Sequence, residues 1–457
     1  MTSLDHERAL DLAAAALDGP LAPVDAQALA RHLGGCAACH DMVRALQRDA
    51  RALAELPRRD APQRVRHTVI ASLEAGHRPV RRALFEALGV SGLATVIVGG
   101  LILAGARSPA TMNVGPAVPE ATWREEAPAG AALTTDPDLS VDAVARQGSR
   151  LVALGSGAAG PLVWRSLDSV RWSSVADPSP FAGSQVASVI GSAGGFVAVG
   201  FSVGADGASE AVSWYSADGA SWRRSPASTA LRETAMTSVT AVRSGYLAVG
   251  LRTAPQVGAA WTSPDGLRWT PVATGADMAG ERLNAVAARG DLVVAVGQDA
   301  AGGVAWSSSD GGHSWARASV AGAPSARISG VTAGPRGFVA VGFAVGADQS
   351  VRGAAWTTSD GLHWAGSAAG LRLIGARLQA VANAGRYLIA VGYTIAGAVA
   401  FTSPDGAAWQ PLPAGPGFAH ATLTAVAALD GESVAAGRAT VGPAVWRLEV
   451  QPLASGS

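Results

Sequence analysis

The sequence predicts a multidomain chain: a small all-α bundle, one transmembrane helix and an all-β seven-bladed propeller. Three observations carry that prediction. All 13 Trp lie beyond residue 120, in one motif that recurs at near-constant spacing. The twenty residues between Glu86 and Arg107 carry no charge. The two cysteines, Cys36 and Cys39, both sit near the N-terminus in an Ala/Leu-rich stretch with helical spacing. At 457 residues the chain exceeds one ordinary domain, and 49% hydrophobic with 15% charged is too apolar for disorder. Its 35 basic and 35 acidic residues cancel, so no global basic field points to direct nucleic-acid binding. Two cysteines exclude a disulfide scaffold.

The first element, residues 1–82, is read as a small helical domain. His32, Cys36 and Cys39 stand at i, i+4 and i+7, which places an imidazole and two thiols on one face of a helix. Zinc uses such donors in a tetrahedron, with a fourth ligand from elsewhere. His6 is the fourth candidate. Asp18-Gly19-Pro20 turns the chain after the first helical stretch, and Pro23 marks the start of a second helix. Two readings compete with zinc. A C-x2-C pair also occurs as a redox dithiol, although no strand precedes this one and no βαβ pattern surrounds it. The cysteines are also compatible with incidental replacement of Ala in a helix. His40 is an alternate ligand only, and His67 and His77, among arginines, read as solvated surface residues.

The run His6…Asp18-Gly19-Pro20…His32-Leu33-Gly34-Gly35-Cys36-Ala37-Ala38-Cys39, followed by a helical stretch to about Leu56, resembles the zinc-binding anti-sigma domain of bacteria. The resemblance covers roughly residues 4–56 and matches His6, His32, Cys36 and Cys39 as ligands. Ala22 departs from it, standing where Ser or Thr often precedes the Pro. The resemblance implies a small bundle that grips an alternative sigma factor of the extracytoplasmic-function group and blocks its access to core RNA polymerase. Two apolar stripes follow, Val43, Leu46, Ala50, Leu53 and Leu56, then Val65, Val69, Ile70 and Leu73, separated by Pro57 and Pro62. They serve self-packing around zinc, a partner protein, or both, with the 63–75 helix the more partner-facing.

The second element, residues 83–107, contains the uncharged run. Twenty residues in a helix span roughly 30 Å, the thickness of a bilayer's hydrocarbon core. Seven arginines lie in residues 58–82 and two in residues 107–127. The positive-inside rule therefore keeps the N-terminus in the cytoplasm and puts the rest outside. Residues 108–120, with three Pro, read as a linker.

The third element, residues 121–450, is built on repeats. Trp164, Trp214, Trp261, Trp306, Trp356, Phe401 and Trp446 advance by 50, 47, 45, 50, 45 and 45 residues. Six of them open a motif of the S-x-D-G-x2-W type. A V-A-V-G type strand precedes each, ending at Gly155, Gly200, Gly250, Gly297, Gly342, Gly392 and Gly437. Ahead of that runs a V-x2-V or L-x2-V segment. Four short strands per unit are those of a propeller blade. The seventh unit lacks its last strand, and residues 122–127 supply a match for it, so a strand from the N-terminal end closes the ring. The motif resembles the Asp box of sialidase-like propellers, with Ser308–Trp315 nearest the full form. Asp218, Asp265, Asp310, Asp360 and Asp405 are read as turn braces. Tyr246 and Tyr387 occupy strand positions that Phe196 and Phe338 fill elsewhere, and no Tyr/Glu pairing or long insertion marks a catalytic centre. The expectation is no enzymatic activity.

Together these readings point to a single-pass protein of the bacterial cell membrane. Its cytoplasmic zinc domain sequesters a sigma factor, and its extracytoplasmic propeller senses or binds an external ligand or protein. The competing readings are a membrane scaffold with a non-sigma cytoplasmic partner and, third, a tethered glycan hydrolase.

Overall fold

The computed structural model describes residues 23–36, 121–126 and 139–450, the last except 158–159, 273–277, 323, 347–349, 368–373, 429–431 and 441. The chain divides into two units, Met1–Gly115 and Pro116–Ser457. Of the first, one helix is described, α1, Pro23–Gly35. His6, Cys39, His40, His67 and His77, both apolar stripes, residues 86–107 and the 108–120 linker lie outside the described residues. Among the described residues no helix is long and apolar enough to cross a membrane.

The second unit is a ring of seven antiparallel sheets. Blade 1 runs from Ser140 to Ser174, blade 2 from Ser184 to Arg224 and blade 3 from Thr234 to Pro271. Blades 4, 5, 6 and 7 begin at Arg282, Ala326, Arg377 and Thr422. In each, the first strand lines the centre and three more step outward. Blade 5 carries an extra short strand, Ser319–Val320, lying parallel to His363–Ser367. Blade 7 takes its outermost strand from the other end of the chain. Ala121–Glu126 pairs antiparallel with Gly442–Val450, from Ala121 opposite Val450 to Glu126 opposite Val445. The seven-blade count and the closure predicted from residues 122–127 both stand.

The core lies between blades. Seven buried apolar clusters are described, one for each pair of neighbours around the ring. Leu151, Trp164 and Trp172 of blade 1 meet Val434 and Val445 of blade 7, which completes the circle. Phe181, Val186 and Trp214 join Val152 and Leu154 across the next interface, and Ile389 and Val391 meet Leu423 and Trp446 across the last. The alternation of strand side chains explains this, because each blade has neighbours on both faces and hides both.

One feature of every inner strand was not legible in the repeat. Each is bulged: between Val141 and Ala143, Val186 and Ser188, Met236 and Ser238, Leu283 and Ala285, Ile328 and Gly330, Leu378 and Ala380, and Leu423 and Ala425. The bulge explains the invariable glycine of the V-A-V-G strand. A Cβ on Gly342 would overlap the carbonyl oxygen of Arg327, and a Cβ on Gly155 that of Ser140. The other five glycines of the set face the same obstacle.

Candidate zinc centre and propeller rims

α1 follows from its sequence. Pro23 opens it, where the missing N–H is harmless, Asp25 favours the positive end of the helix dipole, and Leu29 is buried. Gly34 and Gly35 end it, since two glycines in succession give a helix little reason to continue. His32 therefore sits in the last turn and Cys36 just past the end, both half-buried. The expected single helical face through His32, Cys36 and Cys39 is corrected in this respect: Cys36 follows the helix rather than riding on it. An imidazole and a thiol four residues apart at a helix end suit a tetrahedral Zn²⁺, which takes neutral nitrogen and thiolate sulfur. These two residues fit zinc by chemistry. His6 and Cys39, which would complete the set, lie outside the described residues. Bound there, zinc would contribute its binding free energy to the folding of this small domain.

The propeller has two rims. At one, the outer strand of each repeat meets its neighbour in the Asp-containing turn; at the other, each blade's outer strand passes to the next blade's inner strand. In the turn of blade 2, Asp218 Oδ1 accepts from the backbone N–H groups of Ala220 and Ser221 at 2.9 and 3.0 Å. Gly219 N donates to Ser216 Oγ at 2.8 Å, and Trp222 Nε1 to Gly219 O at 3.2 Å. Asp265, Asp310, Asp360 and Asp405 repeat the pattern. These hydrogen bonds favour the ionised form, and the Ser314 hydroxyl and backbone hold the Asp310 carboxyl well below the usual range. Asp168 is a sixth brace that sequence reasoning passed over. It accepts from Val170 and Arg171, and the Arg171 backbone N–H lowers its carboxyl to about 2. The signal was hidden because Ser169, at φ 61°, stands where the other turns have glycine. With their oxygens committed to amides, these carboxylates hold turns.

At the opposite rim the first Trp of a repeat anchors the loop leading into its blade. Trp214, Trp356 and Trp446 donate to the carbonyls of Pro180, Ala321 and Pro416. In blade 4 Trp306 donates instead to Glu281, a carboxylate only 1% exposed that also pairs with Arg317 at 3.0 Å. Burial raises the Glu281 carboxyl against the opposing pull of Trp306 and Arg317.

The bulged residues tie the inner strands together. Thr237 Oγ1 donates to Leu283 O at 2.6 Å, Asn284 Nδ2 to Ile328 O at 2.8 Å, and Thr424 Oγ1 to Val141 O at 2.5 Å. Each reaches one blade onward. Asp142 holds the same position in blade 1, where the hydroxyls of Ser140 and Ser156 donate to it at 2.5 and 3.2 Å. Burial pushes its carboxyl up to about 7.

A shallow cleft of about 550 Å³ opens on the turn rim between blades 2 and 3, lined by Tyr215, Arg223, Tyr246 and Arg268 among others. Its phenols are already engaged, Tyr215 with Gly194 O at 2.6 Å and Tyr246 with Ser192 at 2.9 Å. Arg268 pairs with Asp265. Among the described residues, no three His, Cys, Asp or Glu side chains converge as a metal site.

Set against known families, residues 166–413 match the DUF6242 beta propeller domain. The chain belongs to that family. Ahead of its DUF6242 propeller, residues 7–40 match a zinc-finger family, a span that includes His32, Cys36 and Cys39. No curated protein matches the chain. Solved structures similar to it include YCF48 from Cyanidioschyzon merolae, 16% identical over 72% of this chain and 98% of that one, with a TM-score of 0.49. YCF48 bound to D1 peptide is 13% identical over 75% and 100%, also at 0.49. Trypanosoma rangeli sialidase in complex with sialic acid is 10% identical over 68% and 54%, at 0.38.

Proposed function

We propose that this protein is a membrane-anchored anti-sigma factor. The observation that carries the proposal is the zinc-finger match over residues 7–40, which includes His32 and Cys36 at the end of α1. It stands on one chain with an uncharged run of membrane length and a DUF6242 propeller. In this reading His6, His32, Cys36 and Cys39 hold zinc, and the zinc-braced helices present apolar side chains to an extracytoplasmic-function sigma factor. The segment between Glu86 and Arg107 spans the membrane with the N-terminus inside. The propeller lies outside and binds a ligand or protein without catalysing a reaction. Support for a structural rather than catalytic part for the turn carboxylates comes from their Oδ1 atoms, which accept backbone amides.

The test is capture of partners on immobilised, zinc-loaded full-length chain, identified by mass spectrometry, beside a Cys36→Ser/Cys39→Ser variant. One sigma factor retained by the parent and lost by the variant is the expected result. A folded, zinc-loaded parent that retains none would remove the anti-sigma role and favour a scaffold with another cytoplasmic partner.

A further inference from the structure

The inner strands of blades 5 and 6 each carry an arginine at the same level near their start. Arg327 precedes Ile328, which lies opposite Gly342, and Arg377 precedes Leu378, opposite Gly392. Blade 7 reaches that level from its second strand, where Arg438 follows Gly437 and pairs in register with Thr422. All three are half-buried. Blade 4 carries Arg282 at the same level, half-buried and opposite Gln298, whereas the corresponding pairs in blades 1–3 are Ser140 with Ser156, Gln185 with Phe201 and Ala235 with Leu251, none of them charged. The positive charge is therefore gathered on one side of the loop-side mouth of the central channel.

These positions are neighbours. A Cβ on Gly330 would meet Gln379 O at 3.1 Å, so the inner strands of blades 5 and 6 touch two and three residues beyond the arginines. Blades 6 and 7 share the cluster of Val391, Leu423 and Ala435 just inside the same mouth. The Arg377 guanidinium lies 4.5 Å above the Phe343 ring. Stacking occupies its face and leaves the in-plane N–H donors at its edge.

Nothing described in these blades neutralises them. The ion pairs of blades 5–7 engage Asp360, Asp405, Glu432, Glu449 and Glu126 with His363, Arg336, Arg124 or Arg447. Asp360, Asp405, Glu432 and Glu449 belong to the opposite rim or lead toward it, and Glu125 and Glu126 lie on the outermost strand of blade 7. The remaining carboxylate of the three blades with a place in a loop on this side, Asp348, is outside the described residues. Among the described residues Arg327, Arg377 and Arg438 have no carboxylate partner. Arg327 Nη1 donates to Ala326 O at 3.2 Å and Arg377 stacks on Phe343, but half-buried guanidinium groups with no counter-charge keep further N–H donors that an anion would satisfy.

We propose that Arg327, Arg377 and Arg438 form a binding site for a small multiply charged oxyanion at the loop-side mouth of the DUF6242 propeller. The ligand carries at least two negative charges on carboxylate or phosphate oxygens, enough to engage guanidinium groups from adjacent blades. This deepens the binding role proposed above for the propeller. The two tests read different parts of the chain, so loss of sigma capture and loss of anion binding are separable.

Isothermal titration calorimetry of the full-length chain, with citrate and inorganic phosphate as separate probes at constant ionic strength, decides it. Saturable binding of either probe is expected: citrate alone assigns a polycarboxylate, phosphate alone a phosphate-bearing ligand. R377Q and R438Q should each weaken that binding by about tenfold or more, as loss of a charge-assisted hydrogen bond does. R336Q, on the opposite rim, should bind as the parent does. Near-UV circular dichroism from the tryptophans establishes that each variant is folded. Absence of saturable binding by both probes, or equal affinity in R377Q and R438Q, would overturn the site.

Discussion

Asp142 occupies a position where its counterparts donate. Thr237, Asn284 and Thr424 each send a hydrogen bond to the next inner strand. An ionised carboxylate has no proton to send, and burial raises this one from an ordinary 3.8 to about 7, with Ser140 and Ser156 pulling the other way. The sign of the linkage follows. In the unfolded chain the group ionises as pH passes 3.8; in the folded chain it stays protonated until about 7. Stability is thus full below the lower value and is eroded as pH rises between the two. Asp142→Asn installs the residue that blade 4 uses. It should raise the propeller's Tm by a few degrees at pH 8 and leave it nearly unchanged at pH 4, followed by tryptophan fluorescence. Equal shifts at both pH values would refute the account.

At the scale of the strand and turn, bulge and glycine form one device. The inner strand steps inward by one residue, its carbonyl moves against the neighbouring strand, and only a residue without Cβ fits opposite. Gly342→Ala should therefore destabilise the propeller by at least the roughly 1–3 kcal/mol of core overpacking. Chemical denaturation monitored by tryptophan emission measures it. A variant as stable as the parent would mean that the bulge yields. The repeat made the V-A-V-G strand and its glycine legible, because seven copies lined up. The bulge itself was not, since a one-residue insertion in each copy leaves the spacing between copies unchanged. The sixth turn brace was masked in another way: Asp168 follows the pattern, but Ser169 supplies the positive φ without the glycine that advertises it.

The whole molecule is a ring closed by a strand from its own beginning. Deleting residues 121–126 would leave Gly442–Val450 as an open edge and strip Trp123, 4% exposed and 5.4 Å from Phe418, from the last interface. The expected outcome is a lower Tm and light scattering that grows with concentration, as unpaired edges recruit one another. A variant that melts as the parent does, without scattering, would make the closure ornamental. The closure was readable because residues 122–127 resemble a strand that the seventh unit lacks. The arginine mouth was not, because its members are scattered through the sequence and share only a level in the sheets. Of the zinc ligands the sequence named, His32 and Cys36 stand at the end of α1, and the motif rather than the fold identified them.

Strand 121–126 has a mechanical consequence. It is the stretch through which the propeller joins everything before it in the chain. Any pull transmitted along the polypeptide from residues 1–120 reaches Ala121 first and is resisted by the six residue pairs between Ala121 and Glu126. Those pairs are the first link in series, so tension strong enough to break them unlatches the ring before it reaches the inner strand of blade 1.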